Sequence, residues 1–130
     1  MKQIKPILAI LFCTSSLHAM DAFSALSAIE SCNCDYAVGS CGEISRFQIL
    51  KAVWRTETTL PYSAARNPFT AQNVAIDLMN KRVKQFVLSN NRQPTASEWA
   101  LLFHCPSCVL HPSAKQRDYA NRFVNLLNEK

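Results

Sequence analysis

Residues 25–49 constrain the fold of this chain more than any other segment, because in them an apolar helical face ends at a carboxylate. We predict a helix over residues 21–31, with Asp21 as its N-cap. Phe23, Leu26 and Glu30 then share one stripe at i, i+3 and i+7 spacing. A carboxyl group held partly out of water keeps its proton more readily, so Glu30 is a candidate proton donor. The alternative is that Glu30 frays into solvent and has no chemical role. The stripe beside it is also apolar and consists of Ala22, Ala25 and Ile29.

Residues 1–19 are predicted to be a secretory signal peptide. Lys2 and Lys5 precede a short apolar run at residues 7–13, and small residues lead to a cleavage site after Ala19. The run is too short to favour an uncleaved membrane anchor, and the residues before Cys13 lack the small side chains of a lipidation site. We therefore expect an exported protein, periplasmic or secreted, with one domain at residues 20–130 and no stable membrane span after cleavage.

The charge balance bears on the class of partner. Cleavage removes two lysines and no acid, so the formal charge falls from +5 to +3. A modest positive charge suits an anionic polymer such as the cell wall. The basic residues are scattered, and we expect the one cluster, Lys81, Arg82 and Lys84, to be the water-facing side of a helix. Nucleic-acid binding is therefore not favoured.

The cysteines predict disulfide bonds, because an exported chain meets oxidising conditions. A bridge between the early and the late cysteines would close a loop of more than sixty residues and would stabilise the fold by roughly 2–4 kcal/mol. An odd count implies a free thiol or an intermolecular bond, and the sequence does not decide the pairing. The cysteines left after signal cleavage are Cys32, Cys34, Cys41, Cys105 and Cys108.

Two other uses of these thiols stay open. Cys105 and Cys108 have the spacing of a redox pair, although they follow a helix and enclose a proline. His104 and His111 flank them with a spacing usable for zinc, to which Cys32 or Cys34 could be added. A structural disulfide is the simpler interpretation, so we expect no metal and no cofactor.

The rest of the chain is predicted to be helical, which gives a mainly α, α+β domain. Ser45 is expected to cap a helix that runs to about residue 56. Residues 57–68 are expected to form a surface loop. Thr70 is expected to cap the longest helix, to about residue 89, and two capping boxes, at residues 95–98 and 113–116, open the last two helices. The residues expected to face the core are Phe47, Leu50, Val53, Trp54, Val74, Leu78, Met79, Val83, Phe86, Val87, Trp99, Leu102, Phe103, Tyr119, Ala120, Phe123, Val124 and Leu127.

Three blocks of the sequence resemble a known family. Glu30-Ser31, a polar turn and GEISRFQI at residues 42–49 are similar to the Glu-Ser … Gly-x-x-Gly-Leu-Met-Gln-Ile signature of lytic transglycosylases of the lysozyme-like superfamily. The likeness is greatest to small bacterial members in which a Trp follows, here Trp54. WALLFHCP at residues 99–106 lies where the family has Ala-x-Ala-Tyr-Asn-Ala-Gly-Pro, and residues 117–120 match its Arg-x-Tyr-Val helix. The resemblance implies a lysozyme-like fold with a small hairpin after the catalytic helix.

The resemblance also implies a reaction, cleavage of the bond between N-acetylmuramic acid and N-acetylglucosamine in peptidoglycan glycan strands. In that family one carboxyl group suffices. By analogy Glu30 is the general acid and base, Ser31 orients it, Gln48 hydrogen-bonds sugar and Tyr119 reaches towards the carboxylate. A monomer acting on glycan strands is the expected form.

Glu43 keeps a hydrolytic reaction open, because lysozymes usually employ a second carboxylate. Its alternative roles are a solvated hairpin acid or a partner of Arg46. Arg46 replaces a leucine of the family motif and could instead contact the peptide stem of the substrate.

The sequence also departs from the family pattern. Cys32 and Ser45 stand where glycine is common, and Phe103-His104 replaces Tyr-Asn in the third block. His104 could replace the missing amide as a donor, or be a buried structural histidine. A catalytically degenerate peptidoglycan-binding protein that keeps the groove is therefore an alternative function.

Overall fold

The computed structural model describes residues 15–128, with side-chain surroundings from residue 22 onwards. This part is mainly helical, as predicted. Isolated bridges pair Val38 with Ile44 and Ile44 with Ile49, so a small hairpin replaces a true sheet there. None of the helices in this part is long and apolar enough to cross a membrane. The elements are α1 (Ser15–Ser31), α2 (Lys51–Glu57), a first 3₁₀ helix (Tyr62–Arg66), α3 (Pro68–Asn90), α4 (Ala96–His104), a second 3₁₀ helix (Pro106–Cys108) and α5 (Ala114–Asn128).

Helix α1 is longer than predicted. Asp21 lies inside it and does not cap it, because the helix already includes Ser15. Cys32 and Asn33 end the helix with left-handed backbones, at φ 55° and 61°. Their N–H groups bond the carbonyls of Ala28 (2.9 Å) and Ser27 (3.2 Å), which satisfies acceptors of the last turn. Residues 1–14 of the predicted signal peptide lie outside the described residues.

The prediction that Ser45 caps a helix is wrong. Ser45 is fully buried and has φ 73°, a backbone conformation that an α-helix cannot continue from. Its hydroxyl donates to the carbonyl of Ala65, and a second left-handed residue, Gln48, follows at φ 50°. Residues 45–48 therefore form a turn, and α2 begins at Lys51. Leu50 was expected in the core, but it is 46% exposed, because it precedes α2 and does not lie on an inward-facing side of that helix.

The start of α3 also differs from the prediction. Asn67, and not Thr70, is the N-cap, because its Oδ1 accepts from the N–H groups of Phe69 (3.0 Å) and Thr70 (3.1 Å). Pro68 occupies the first turn, where a missing N–H costs nothing. The segment before it is no simple surface loop, since it forms the first 3₁₀ helix and buries Ala65.

Both predicted capping boxes are confirmed. The Thr95 hydroxyl accepts from the N–H of Glu98, and the Glu98 carboxylate accepts in return from the N–H of Thr95. Ser113 and Gln116 form the same reciprocal pair at the start of α5.

An aromatic core joins the two ends of the described chain. Helix α5 packs against both α1 and α4. Trp99 of α4 stacks on Phe123 of α5, with ring centroids 5.4 Å apart, and makes an edge contact with Phe23 of α1. Phe47 of the hairpin makes an edge contact with the same Phe23, so the hairpin is anchored to α1 as well. This packing brings the end of α1, the end of α4 and the middle of α5 together.

Of the pairings that the sequence left open, the described residues contain one between the two late cysteines and none between the early and the late ones. Cys105 pairs with Cys108, because the second 3₁₀ helix brings their Cα atoms to 5.4 Å. Cys32, Cys34 and Cys41 are exposed free thiols. Within the described residues no three His, Cys, Asp or Glu side chains gather into a possible metal site, so the zinc alternative finds no support there.

Candidate active site

Glu30 lies in the last turn of α1 and meets side chains from two other helices. Its side chain is 15% exposed. The Tyr119 hydroxyl donates to its Oε1 at 2.6 Å, and Nδ1 of His104 lies 3.5 Å from the same oxygen. The alternative in which Glu30 frays into solvent is therefore wrong, since a short hydrogen bond holds the carboxyl group in place.

Tyr119 is 5% exposed and reaches Glu30 from α5. Burial, with the negative charge of Glu30 next to the hydroxyl, raises the pKa of Tyr119 far above its ordinary value. The phenol therefore stays protonated and acts as a hydrogen-bond donor throughout the usual pH range.

His104 packs against the ring of Tyr119. Its ring stacks on that of Tyr119, with centroids 4.1 Å apart and an interplanar angle of 18°. Its side chain is 39% exposed, so the interpretation as a buried structural histidine is wrong. The C-terminus of α4 thus presents an imidazole to both Glu30 and solvent.

Glu30 and His104 border a cleft of about 370 Å³. Glu30, Glu43, Gln48, Phe103 and His104 line it, so the structure brings most of the sequence-predicted site residues together. Phe103 is 8% exposed and packs its ring edge against Phe47 of the hairpin, with centroids 6.4 Å apart. The cleft residues for which the sequence predicted no catalytic or substrate-binding role are Cys41, Ile49, Leu50, Val53, Leu78, Arg82 and Pro106.

Glu43 is held in the hairpin by backbone contacts. Its Oε2 accepts from the N–H of Cys41 at 2.9 Å, and its carbonyl accepts from the N–H of Gly39 at 2.7 Å. A β-carbon at Gly39 would overlap the Glu43 carboxylate, so glycine is required for this arrangement. Glu43 is thus held by the backbone of the hairpin and is not a partner of Arg46.

Arg46 pairs with Asp35 instead, which corrects the expectation that its partner is Glu43. Nε lies 2.6 Å from Oδ1 and Nη2 lies 3.1 Å from Oδ2, a bidentate arrangement. The guanidinium lowers the pKa of Asp35, and the carboxylate raises the pKa of Arg46. The pair ties the turn after α1 to the hairpin.

Ser31 and Gln48 make their hydrogen bonds to the backbone. The Ser31 hydroxyl donates to the carbonyl of Arg46 at 2.8 Å and accepts from the N–H of Cys34, so it joins α1 to the hairpin. The Gln48 amide nitrogen donates to the carbonyl of Ser45 at 2.7 Å. Its amide oxygen makes no hydrogen bond within the described residues and remains available to a ligand in the cleft.

Arg82 is a residue whose role the sequence did not reveal. Its Nη1 donates to the carbonyls of Leu102 (2.9 Å) and Phe103 (2.8 Å), the unpaired acceptors at the end of α4. Burial lowers the pKa of the guanidinium. Arg82 therefore does not face water with Lys81 and Lys84, and no local pattern could have indicated this, because its acceptors lie on another helix.

Chemically, the arrangement offers one carboxyl group with a fixed donor on Oε1, a neighbouring imidazole and a second carboxylate in the same cleft. Such a set can deliver a proton to a bound ligand and take one back. Comparison of the chain with family models, with curated proteins and with solved structures finds no match.

Proposed function

We propose that this protein is a lytic transglycosylase of lysozyme-like fold that cleaves bonds between N-acetylmuramic acid and N-acetylglucosamine in peptidoglycan. The observation that carries the proposal is the 2.6 Å hydrogen bond from Tyr119 to Glu30 Oε1 at the border of a cleft. It fixes one carboxyl oxygen. Oε2 makes no hydrogen bond within the described residues and can therefore face a substrate.

The hairpin gives independent support. Cys32 and Ser45 stand where the resembling family commonly has glycine, and both have left-handed backbones, at φ 55° and 73°. Glycine is the residue that adopts this conformation without strain. Left-handed backbones at these two positions are what glycines in the family motif would allow, and this supports the proposal.

In the proposed reaction Glu30 first donates its proton to the glycosidic oxygen as the bond to the muramic acid breaks. The resulting carboxylate then takes the proton of the muramic acid C6 hydroxyl, whose oxygen attacks C1. A 1,6-anhydro ring forms, the proton returns to Glu30 and no water is consumed. The Tyr119 donor supports the negative charge that Glu30 carries between the two steps.

Two alternatives each rest on one observation. Glu43 lines the same cleft and is held by Cys41 and Gly39, which favours a lysozyme with two carboxylates. Phe103 supplies an apolar ring where the family has a tyrosine hydroxyl, which favours a binder that has lost turnover.

The test is mass spectrometry of peptidoglycan incubated with the protein and with its Glu30→Gln, Glu43→Gln and Asp118→Asn variants. Asp118 is a control, since its side chain is 71% exposed on α5. Anhydro products that disappear only with the Glu30 change are expected. Reducing-end products that require both acids would identify a lysozyme, and binding without any product would identify the degenerate protein.

A further inference from the structure

A second depression lies on the opposite side of the hairpin from the Glu30 cleft. Cys41 and Glu43 line the cleft, whereas Gly42 and Ile44 line this depression, which encloses about 980 Å³. In the same way, Leu50 lines the cleft and Lys51 lines the second depression. The hairpin and the start of α2 therefore separate the two depressions, and we call the second one the basic groove.

The basic groove carries three cations and no acid. Lys51 and Arg55 are one turn apart on α2, and Arg66 faces them from the first 3₁₀ helix. No described carboxylate forms an ion pair with any of the three. In contrast, Arg46 and Arg92 are both held by bidentate carboxylates. Within the described residues, the three cations of the groove are thus left without an ion-pair partner.

The walls of the groove are fixed before any ligand binds. The Tyr62 hydroxyl accepts from the N–H of Ile44 at 3.1 Å and donates to the carbonyl of Ile49. The Trp54 indole N–H donates to the carbonyl of Leu60 at 3.0 Å, which holds the loop between α2 and the first 3₁₀ helix. The remaining polar lining is uncharged and consists of Thr58, Thr59 and Ser63. The ammonium and guanidinium groups and the threonine and serine hydroxyls of this lining are donors that suit a carboxylate ligand.

We propose that the basic groove binds carboxylates of the peptide stems that branch from the glycan strand held in the Glu30 cleft. This inference rests on the proposed function. A stem is attached to the muramic acid residue beside the scissile bond, so its acidic groups travel with the strand. Lys51, Arg55 and Arg66 then select strands that still carry anionic peptides over bare glycan.

The test measures dissociation constants by fluorescence anisotropy in a Glu30→Gln background, which holds strands without cutting them. The ligands are soluble glycan strands with free stem carboxylates, the same strands with amidated carboxylates, and strands stripped of peptide. Lys51→Gln/Arg55→Gln should weaken binding of the first ligand roughly 2- to 30-fold, to the level of the amidated one. Arg66→Gln should cause a smaller loss in the same direction, and added salt should reduce the difference.

Lys84→Gln/Lys115→Gln is the matched control, because it removes the same charge from exposed positions outside both depressions. It should leave the preference for carboxylates unchanged. Equal weakening of all three ligands by the groove variant, or a preference that survives it, would overturn the inference. Tighter, groove-dependent binding of a glycerol-phosphate polymer would overturn it in favour of phosphate.

Failure of the inference and failure of the proposed function are distinguishable. If the unmodified protein forms anhydro products from stem-bearing and bare strands with equal KM, the groove does not read stems, and the transglycosylase assignment stands. If it neither binds nor cleaves any strand, both proposals are overturned.

Discussion

Tyr119 is the residue on which the chemistry of the site depends most directly after Glu30. Tyr119→Phe removes the hydroxyl that donates to Oε1 and keeps the buried ring. We expect cleavage of peptidoglycan to fall about tenfold or more, because the carboxylate formed in the reaction loses its donor. The free energy of unfolding should change by only about 1 kcal/mol. Product formation and urea unfolding, measured on one preparation, separate the two effects.

Tyr36→Phe is the control, because it also removes a phenol oxygen, but from a side chain that is 78% exposed. It should change neither quantity. A Tyr119→Phe variant with full activity would contradict the role given to this hydroxyl.

At the scale of elements, Arg82 of α3 caps the C-terminal end of α4 by donating to its last carbonyl groups. Arg82→Gln should lower the free energy of unfolding by about 2 kcal/mol, because the shorter amide loses the charged donor to Leu102 and Phe103. Urea titration followed by circular dichroism measures this. Lys84→Gln, an exposed position on the same helix, should be neutral, and equal stability of the two variants would refute the capping role.

The start of α4 predicts a pH dependence. Arg92, followed by the hydrogen bonds from Thr95, lowers the pKa of Glu98 to about 2 from an ordinary value of 4.5. Because the folded pKa lies below the unfolded one, the stabilisation is present above pH 4.5 and is lost as the pH falls through about 2.

Glu98→Gln should therefore lose less stability than the unmodified protein between pH 4.5 and pH 2. Glutamine keeps the reciprocal capping bonds, so the helix start itself is preserved. Thermal unfolding at several pH values tests this, and parallel curves for the two proteins would count against it. Asp118→Asn supplies an exposed acid as a control.

The elements also indicate which features a sequence can reveal. The two capping boxes involve residues three apart, so their patterns predicted both helix starts correctly. Ser45 and Arg82 were misassigned because their acceptors lie 20 or 21 residues away, on other elements. Local spacing carries no information on such contacts.

The contacts of the candidate site likewise fall into those that the sequence indicated and those that it did not. Helical periodicity placed Glu30 at the end of an apolar face, and the family resemblance suggested Tyr119 as its neighbour. The stacking of His104 on Tyr119 and the pairing of Arg46 with Asp35 depend on how the end of α4 and the turn after α1 are packed. Only the folded arrangement reveals those contacts.

At the scale of the whole molecule, the site joins residues 89 positions apart, so it exists only when α1 and α5 are packed together. Phe123 is central to this packing, being 1% exposed and stacked on Trp99. Phe123→Ala should lower the free energy of unfolding by about 3–5 kcal/mol. Leu88→Ala, at a position 72% exposed, should stay within about 0.5 kcal/mol of the unmodified protein.

The same variant tests whether α5 belongs to one cooperative unit with the rest of the fold. If it does, urea unfolding followed by circular dichroism and by tryptophan fluorescence should give coincident transitions, both shifted by Phe123→Ala to lower urea. Fluorescence reports on Trp99 beside α5 and on Trp54 of α2, which packs against Tyr62 of the first 3₁₀ helix, whereas circular dichroism reports on all helices. An early fluorescence transition with most of the helical signal retained would mean that α5 detaches by itself. The Tyr119–Glu30 contact would then be lost without global unfolding, and activity would fall at urea concentrations where the remaining helices persist.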